Sequence, residues 1–589
     1  MRFRSRAASG GRVYAVAGTN TVSFGIDATA GTRAGLLGFA VERVDLATGE
    51  RHWLPGFKVF RSLLPHPVPG ERVSTFDHPM QSFLWDDFTC APDHRYTYRF
   101  QPLKGTPAHP DRSAPALSLT VRTEPATSTG THDVFFNRGV ASSQYYTQEF
   151  GDTPIADLAP EKQARALAWL SRDLDEALLA FVDGCAAGDR LLGCFYEFRY
   201  RPVADALVAA IGRGVDVRLI VDGKVNEHTD DEGFHESFPR EENLRMLAAA
   251  QLPMDRVVLR QARRSAIAHN KFMVKVVGGA PAEVWTGSTN LSLGGIHGQT
   301  NVGHHVRDAA TAAAFVRYWD LLATDPGGRD GDPRTEVIAK NKAFRAAVAH
   351  LSPVPADLRR LPRGTTSVFS PRPDATVLDA YAALLDSADD EACITLAFTV
   401  AAAVKEVLRD NTAADQITFL LLEKRDRPDR RNPSAFVRID ASNNVYQAWG
   451  SFLRNPVYQW AAETNAGLLG LNQHVSYIHS KFLLVDPLGR DPRVVTGSAN
   501  FSAASCTDND ENMLVVRGDR RVADIYLTEF NRLFNHYYFR SVTEARGARG
   551  NPDSLFLTED ATWLDGYAAG GLKSKRLALY TGMAGFTRA

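Results

Sequence analysis

The sequence predicts an α/β fold: two related α/β halves about a pseudo-twofold axis, preceded by a small all-β sandwich. Three observations carry this. Helix-period and strand-period segments alternate in the same order in two stretches of the chain. A hairpin-like segment recurs at a constant offset of 210 residues. The segment before both stretches holds only short, period-two strands separated by turns.

Taken in order, residues 12–124 alternate Val22, Phe24 and Ile26, then Leu37, Phe39 and Val41, then Tyr96, Tyr98 and Phe100, then Leu117, Leu119 and Val121. Short strands with turns such as ATGE and CAPDH between them predict a β-sandwich over residues 1–125, its role packing or partner contact rather than catalysis. PATSTGTH (125–132) reads as a linker.

The first half is expected over 133–350. Ala166 to Val182 carries Leu167, Leu170, Leu174, Leu178 and Phe181 at helical spacing, a core-facing stripe. DRLLGCFYEF reads as a strand, PVADALVAAIGRG as a helix and DVRLIVD as a strand, which makes a βαβ unit. EHTDDEGFHESF (227–238) mixes acids and histidines without ligand spacing and reads as a solvated loop, as do His304 and His305. DPGGRDGDP (325–333) is a linker, followed by a helical connector. The second half, 366–545, repeats the pattern: ATVLDAYAALLDSA helix, EACITLAFTV strand, AAAVKEVLRD helix, DQITFLLLEK strand. Residues 546–589 are turn-rich around Trp563 and read as a tail, with a cover over the cleft between the halves as the favoured role.

The recurring segments are AHNKFMVKVVGGAPAEVWTGSTNLS and YIHSKFLLVDPLGRDPRVVTGSANFS. His269, Lys271, Gly287, Ser288 and Asn290 match His479, Lys481, Gly497, Ser498 and Asn500, each pair 210 residues apart. Residues two apart on a strand share a face, so each His and Lys project together. The glycine-serine corner follows where the returning strand ends. An imidazole, an ammonium, a hydroxyl and a carboxamide at one spot suit gripping and attacking a phosphoryl group.

These residues resemble the signature of the phospholipase D superfamily: His-x-Lys, four residues, Asp, then Gly-Ser-x-Asn, twice in one chain. The opening module resembles a fibronectin type III-like domain through its Tyr-x-Tyr-x-Phe strand, a match of low specificity. The second copy of the signature is complete, with Asp486 and, eleven residues after Asn500, Glu511. The first departs from it, with Val276 at the Asp position and Asn301 at the Glu position. The resemblance implies a phosphodiesterase that works through a phosphohistidine, with His269 the nucleophile and His479 the acid/base, an order the residues alone leave open. It also implies that Glu511 accepts a hydrogen bond from the histidine of its own half. Lys271, Lys481, Ser288, Ser498, Asn290 and Asn500 are expected on the phosphate oxygens. Asp486 is read as structural support, with Asn301, Gly287 and Gly497 also supporting. A carboxylate beside His479 and an amide beside His269 would push the two imidazoles apart in pKa, favouring His479 as acid.

Phospholipid cleavage to phosphatidic acid and alcohol is the first expectation for substrate. A nuclease of the same superfamily is second, a phosphatidyltransferase third, and a catalytically dead scaffold the non-enzyme alternative. Hydrolysis and transphosphatidylation are not separable at this stage. With 67 basic against 68 acidic residues there is no basic surplus of the kind nucleic-acid binders carry. No ligand set for a metal stands out, and neither metal nor cofactor is expected. No apolar run is long enough for a transmembrane helix and no secretory h-region follows the basic start, so a cytoplasmic monomer touching membrane surfaces transiently is expected. Five scattered cysteines read as reduced thiols.

Overall fold

The computed structural model describes residues 1–56, 58–67, 72–139, 144–151, 153–230, 233–409, 411, 416–428, 436–451, 471, 475–546 and 556–587. The N-terminal region is built of antiparallel sheets. One runs Arg2–Arg4, Gly11–Ala17, Val22–Ala28, Leu84–Asp87; the other centres on Gly38–Asp45 and Arg95–Thr106, which also pairs with Leu117–Arg122. Leu117, Leu119 and Val121 are buried and alternate with exposed neighbours. They share one core with Phe24, Phe39, Tyr98 and Phe100 from both sheets. Burial of each such side chain contributes about 1.5–3 kcal/mol.

Each half carries a seven-stranded mixed sheet. In the first half the strands are β1 (His132–Phe136), β2 (Arg190–Phe195), β3 (Asp216–Asp222), β4 (Val257–Arg260), β5 (Lys271–Val277), β6 (Ala280–Gly287) and β7 (Val302–Val306). In the second they are β8 (Gly364–Ser370), β9 (Glu391–Leu396), β10 (Ile417–Leu422), β11 (Val445–Trp449), β12 (Phe482–Val485), β13 (Arg493–Gly497) and β14 (Glu511–Arg517). The spatial orders, β1-β7-β6-β5-β2-β3-β4 and β8-β14-β13-β12-β9-β10-β11, are the same order shifted by seven strands. In both, the last three strands run parallel and the rest pair antiparallel. The predicted repeat is thus present strand for strand. The central strands β2, β9, β10 and β12 are near-continuous apolar runs because both faces are covered.

The halves share a core that includes Phe272 and Phe315 of the first and Phe369 and Phe482 of the second. Tyr318 stacks on Phe369 with centroids 4.3 Å apart, and Phe136 meets Phe482 edge-on at 5.8 Å. The long helix Arg520–Arg546 ties in the N-terminal region: Arg521 donates to the carbonyls of Pro125 and His132, and Asn531 to Ser23. All five cysteines are buried and unpaired. Among the described residues no helix is long and apolar enough to cross a membrane.

Four expectations change. His304 and His305, expected in a solvated loop, lie on β7, and His304 is fully buried. The helix expected across 166–182 is two, Pro160–Ser171 and Leu174–Asp183, broken where Arg172 adopts a φ of 52°. The break lets the buried Arg172 guanidinium donate to the Phe136 carbonyl and pair with Glu529 at 3.0 Å, partners a buried charge requires. The 227–238 segment contains a short hairpin, His228–Asp230 against Gly233–His235, with the two histidine rings stacked at 4.8 Å. The described part of the C-terminal tail lies against the β region and the second half, where Lys575 donates to Asn444 and the Ala584 N–H to the Leu488 carbonyl, rather than over the cleft. Trp563 and Tyr567 pack on Phe83, and the helix Leu572–Gly582 brings Tyr580 to Asn531. Its apolar residues complete that region's core, which two small sheets alone leave open.

Candidate active site

The two motifs meet where β2 and β9 end, at the start of β5 and just before β12. Lys271 pairs with Phe195, the last residue of β2, so His269 emerges at the carboxyl ends of the parallel strands, the usual place for a site in such sheets. An acid at the end of the neighbouring strand fixes the backbone leading into each histidine. Asp222 accepts from the Ala268 N–H at 2.9 Å; Glu423 accepts from the N–H groups of Ser476, Tyr477 and Ile478 at 2.9, 3.1 and 2.7 Å.

Main-chain hydrogen bonds lock the halves together at this point. The Thr300 N–H donates to the Tyr477 carbonyl at 2.8 Å, and the Asp510 N–H to the Ile267 carbonyl at 3.0 Å. Thr300 and Asp510 immediately precede Asn301 and Glu511, while Tyr477 and Ile267 lie two residues before the histidines. These bridges deliver each partner to the histidine of the other half. His269 Nδ1 donates to Glu511 at 2.9 Å, and His479 Nδ1 donates to the Asn301 Oδ1 at 2.9 Å. The expected pairing of Glu511 with the histidine of its own half is therefore reversed, and with it the expectation that a carboxylate beside His479 favours that histidine as the acid: the carboxylate stands beside His269 and the amide beside His479. Glu511, as a carboxylate, can only accept. The Asn301 amide nitrogen donates to the Gly295 carbonyl at 2.9 Å, which turns its oxygen toward the ring. In both neutral imidazoles the lone pair is thus left on Nε2.

The serines, expected on phosphate, are committed elsewhere. Ser288 Oγ donates to Asn301 Oδ1 at 2.8 Å and accepts from the Val302 N–H; Ser498 Oγ donates to Glu511 at 2.7 Å and accepts from the Asn512 N–H. Both are fully buried and hold the histidines' partners in place. Gly287 and Gly497 precede them because a Cβ would sit 2.1 Å from the Val302 carbonyl oxygen and 2.2 Å from that of Asn512. Those carbonyls accept the Ser288 and Ser498 N–H groups.

Lys271 and Lys481 are buried, each donating to the carbonyl of its own histidine at 2.7 and 2.6 Å. Burial lowers the Lys271 pKa to about 8 and holds Lys481 well below the usual lysine range. Burial also keeps both imidazoles below 6.5. Glu511 opposes this at His269, while Lys481 and Lys271 reinforce it at His479. Two buried ammonium groups held back in this way favour an incoming anion.

Sequence reasoning missed Glu197, just past the end of β2. It is 6% exposed, accepts from the Asn290 amide at 2.7 Å and pairs with Arg199 at 2.8 Å. Tyr196 beside it packs edge-on against His269 at 5.1 Å. The only signal was an acid at the carboxyl end of a central strand, a common occurrence. The Asn500 carboxamide makes no hydrogen bond among the described residues. Asp486 takes a positive φ of 45° and accepts from the N–H groups of Asp389, Asp390 and Glu391 at 3.0, 2.8 and 3.2 Å. It caps the turn into β9 away from the imidazoles. In the first half Asp189 does similar work, accepting from the Ala186 N–H, beside the β-bulge at Lys275 and Val276. Among the described residues no group of three or more His, Cys, Asp or Glu side chains is arranged to hold a metal ion.

A family profile described as "Cardiolipin synthase, PLD-like domain" matches residues 185–321 and 382–534, one motif in each segment. No curated protein gives a significant sequence match. Among solved structures, phosphatidylserine synthase from Haemophilus influenzae Rd KW20 aligns over 70% of this chain and 93% of its own, at 10% identity and a TM-score of 0.42. The yeast tyrosyl-DNA phosphodiesterase aligns over 57% of this chain and 85% of its own, at 9% identity and a TM-score of 0.29. A phospholipase D family member, Nuc from Salmonella typhimurium, aligns over 29% of this chain and 93% of its own, at 20% identity and a TM-score of 0.21.

Proposed function

Because the chain belongs to the phospholipase D superfamily, we propose that it is a phosphodiesterase acting through a phosphohistidine, with a phospholipid as its substrate and phosphatidic acid and an alcohol as products. One observation carries this reading: each imidazole is held through Nδ1 by a partner from the other half, beside two buried lysines. The anionic diester sits against Lys271 and Lys481, with Asn290 and Asn500 on its remaining oxygens. His269 Nε2 attacks phosphorus while the bond to the leaving alcohol breaks; His479, which takes up a proton on Nε2 when the anionic diester offsets the two lysines beside it, gives that proton to the departing oxygen. The phosphorylated ring keeps its Nδ1 proton and becomes cationic, and Glu511 stabilises that charge. Water then gives a proton to His479 and attacks phosphorus, and the P–N bond breaks.

The near-neutral charge balance supports lipid over nucleic acid as substrate. The test is turnover of phosphatidylcholine, phosphatidylethanolamine, and single- and double-stranded DNA by purified protein in excess chelator, with rapid-quench mass spectrometry of the active-site peptides. Lipid cleavage with a phosphatidyl group on the His269 peptide is expected. Cleavage of DNA alone would replace the substrate. A requirement for a divalent ion on a soluble diester would overturn the mechanism.

A further inference from the structure

The two flanks of the phosphate position are chemically opposite at equivalent places in the fold. Leu191 pairs with Lys275 and Ala392 with Val485, and those partners are 210 residues apart, so β2 and β9 correspond residue for residue. Carried past the strand ends, that correspondence sets Glu197 against Phe398. In the first half the place is filled by a part-buried ion pair, Glu197 with Arg199, which also pairs with Glu242, and Glu197 is tied to Asn290. In the second half Phe398 is 56% exposed. With Leu396, Ala397 and Phe501 it lines a cavity of about 120 Å³, shared with Thr395, Thr399 and Ser502, that opens on Lys481 and Asn500.

We propose that this cavity is the subsite for an alkyl substituent of the phosphodiester, so that an asymmetric diester binds in one sense, its polar substituent toward Glu197 and Arg199 and its alkyl chain on Phe398. The proposal rests on the phosphodiesterase reading and names the substrate chemistry of that same site. An alkyl group against Glu197 and Arg199 would remove water from a charged pair without replacing its hydrogen bonds. Against Phe398 it removes water from an exposed ring and gains from doing so. The Asn500 carboxamide, with no protein partner among the described residues, remains available to the phosphate between the two flanks.

The test uses alkylphosphoethanolamines from methyl to hexyl, as monomers in solution, with a nucleoside phosphoethanolamine as the aromatic comparison. For the full chain, kcat/KM is expected to rise roughly threefold to fourfold per methylene until the cavity is filled. Phe398→Ser should flatten the hexyl-to-methyl ratio, and Phe398→Leu should keep most of it. A flat series in the unaltered protein, a ratio unchanged in Phe398→Ser, or a preference for the nucleoside ester over hexyl would each overturn the subsite. The unaltered protein's series decides the matter even if a variant fails to fold. Failure to cleave any of these diesters would instead count against the phosphodiesterase reading itself.

Discussion

His269 and Glu511 lie 242 residues apart in the chain and are joined through Nδ1 and the carboxylate at 2.9 Å, across the seam between the two halves. The bond exists because Asp510 N–H is bound to the Ile267 carbonyl, which brings the end of one sheet to the motif of the other. The reciprocal bond from His479 reaches Asn301, an uncharged acceptor. One imidazole therefore has a carboxylate behind it and the other an amide, and neither partner comes from its own half.

That crossing reassigns the effect of charge. Glu511→Gln keeps an acceptor for His269 but removes the charge that stabilises a cationic phosphohistidine, and kcat should fall by about a hundredfold or more. Asn301→Asp adds a carboxylate behind His479, raises its pKa and keeps it protonated to higher pH. The limb of the pH–rate profile set by His479 should move to higher pH. Profiles of both variants on a soluble diester check this. A shift in the His479 limb from Glu511→Gln and none from Asn301→Asp would reinstate own-half pairing as the functional one.

Each half supplies one histidine, and attack and protonation require two. His269→Ala and His479→Ala should each lower turnover at least about a hundredfold. Two independent sites would leave each variant with half the activity, so a single-turnover titration of active sites alongside the rates separates the cases.

Lys271 titrates at about 8 because it is buried. Its charged form holds the diester, so that holding is complete below this value and lost as pH rises through it. kcat/KM should therefore decline above about pH 8, well below an ordinary lysine. Lys271→Arg, whose charge does not titrate in this range, should lose affinity through its changed shape yet show no such limb. A decline that persists in Lys271→Arg would assign the limb to another group.

The repeat and its five matched positions were legible because strand and corner residues sit at fixed local spacings, and local spacing survives in sequence. What joins the halves was not. The own-half pairing of Glu511 with His479 is what the family resemblance implies, whereas the bridges Thr300 to Tyr477 and Asp510 to Ile267 are main-chain contacts that no side-chain pattern announces. Ser288 and Ser498 look like phosphate ligands beside Asn290 and Asn500. Their role depends on which way a buried hydroxyl turns, and the Val302 and Asn512 N–H groups decide that. Glu197 and Phe398 become informative only once the halves are superposed strand on strand. The tail was misplaced because its aromatic residues fit any apolar face, and the open one belongs to the N-terminal sheets.

A buried polar chain crosses the same seam farther from the chemistry and should make the protein acid-labile. Thr365 meets His132 Nε2 at 3.1 Å, His132 Nδ1 meets His304 Nε2 at 3.0 Å, His304 Nδ1 meets the Tyr526 hydroxyl at 3.1 Å, and Tyr526 donates to Thr496 at 3.0 Å. Burial holds both histidines below 6.5; His132, His305 and Arg521 lower His304 further, while at His132 Asp519 and Asp308 oppose Arg307 and Arg521. A charged His304 would strand a cation between the sheets. With folded pKa values depressed, the unfolded chain binds more protons once pH drops toward 6.5, so stability is full above that value and falls as pH decreases below it. Each such histidine costs at most about 1.4 kcal/mol per pH unit in that window. Thermal unfolding of the full chain between pH 7.5 and pH 5, values chosen to bracket the roughly 6.5 of an unperturbed histidine, should show the midpoint falling on the acid side. His304→Gln, which keeps hydrogen-bonding capacity but cannot titrate, should reduce that fall by about one histidine's share, whatever its effect on stability at pH 7.5. An identical pH dependence in His304→Gln would place the acid sensitivity elsewhere, with His297, lowered to about 4 by burial, the next residue to replace.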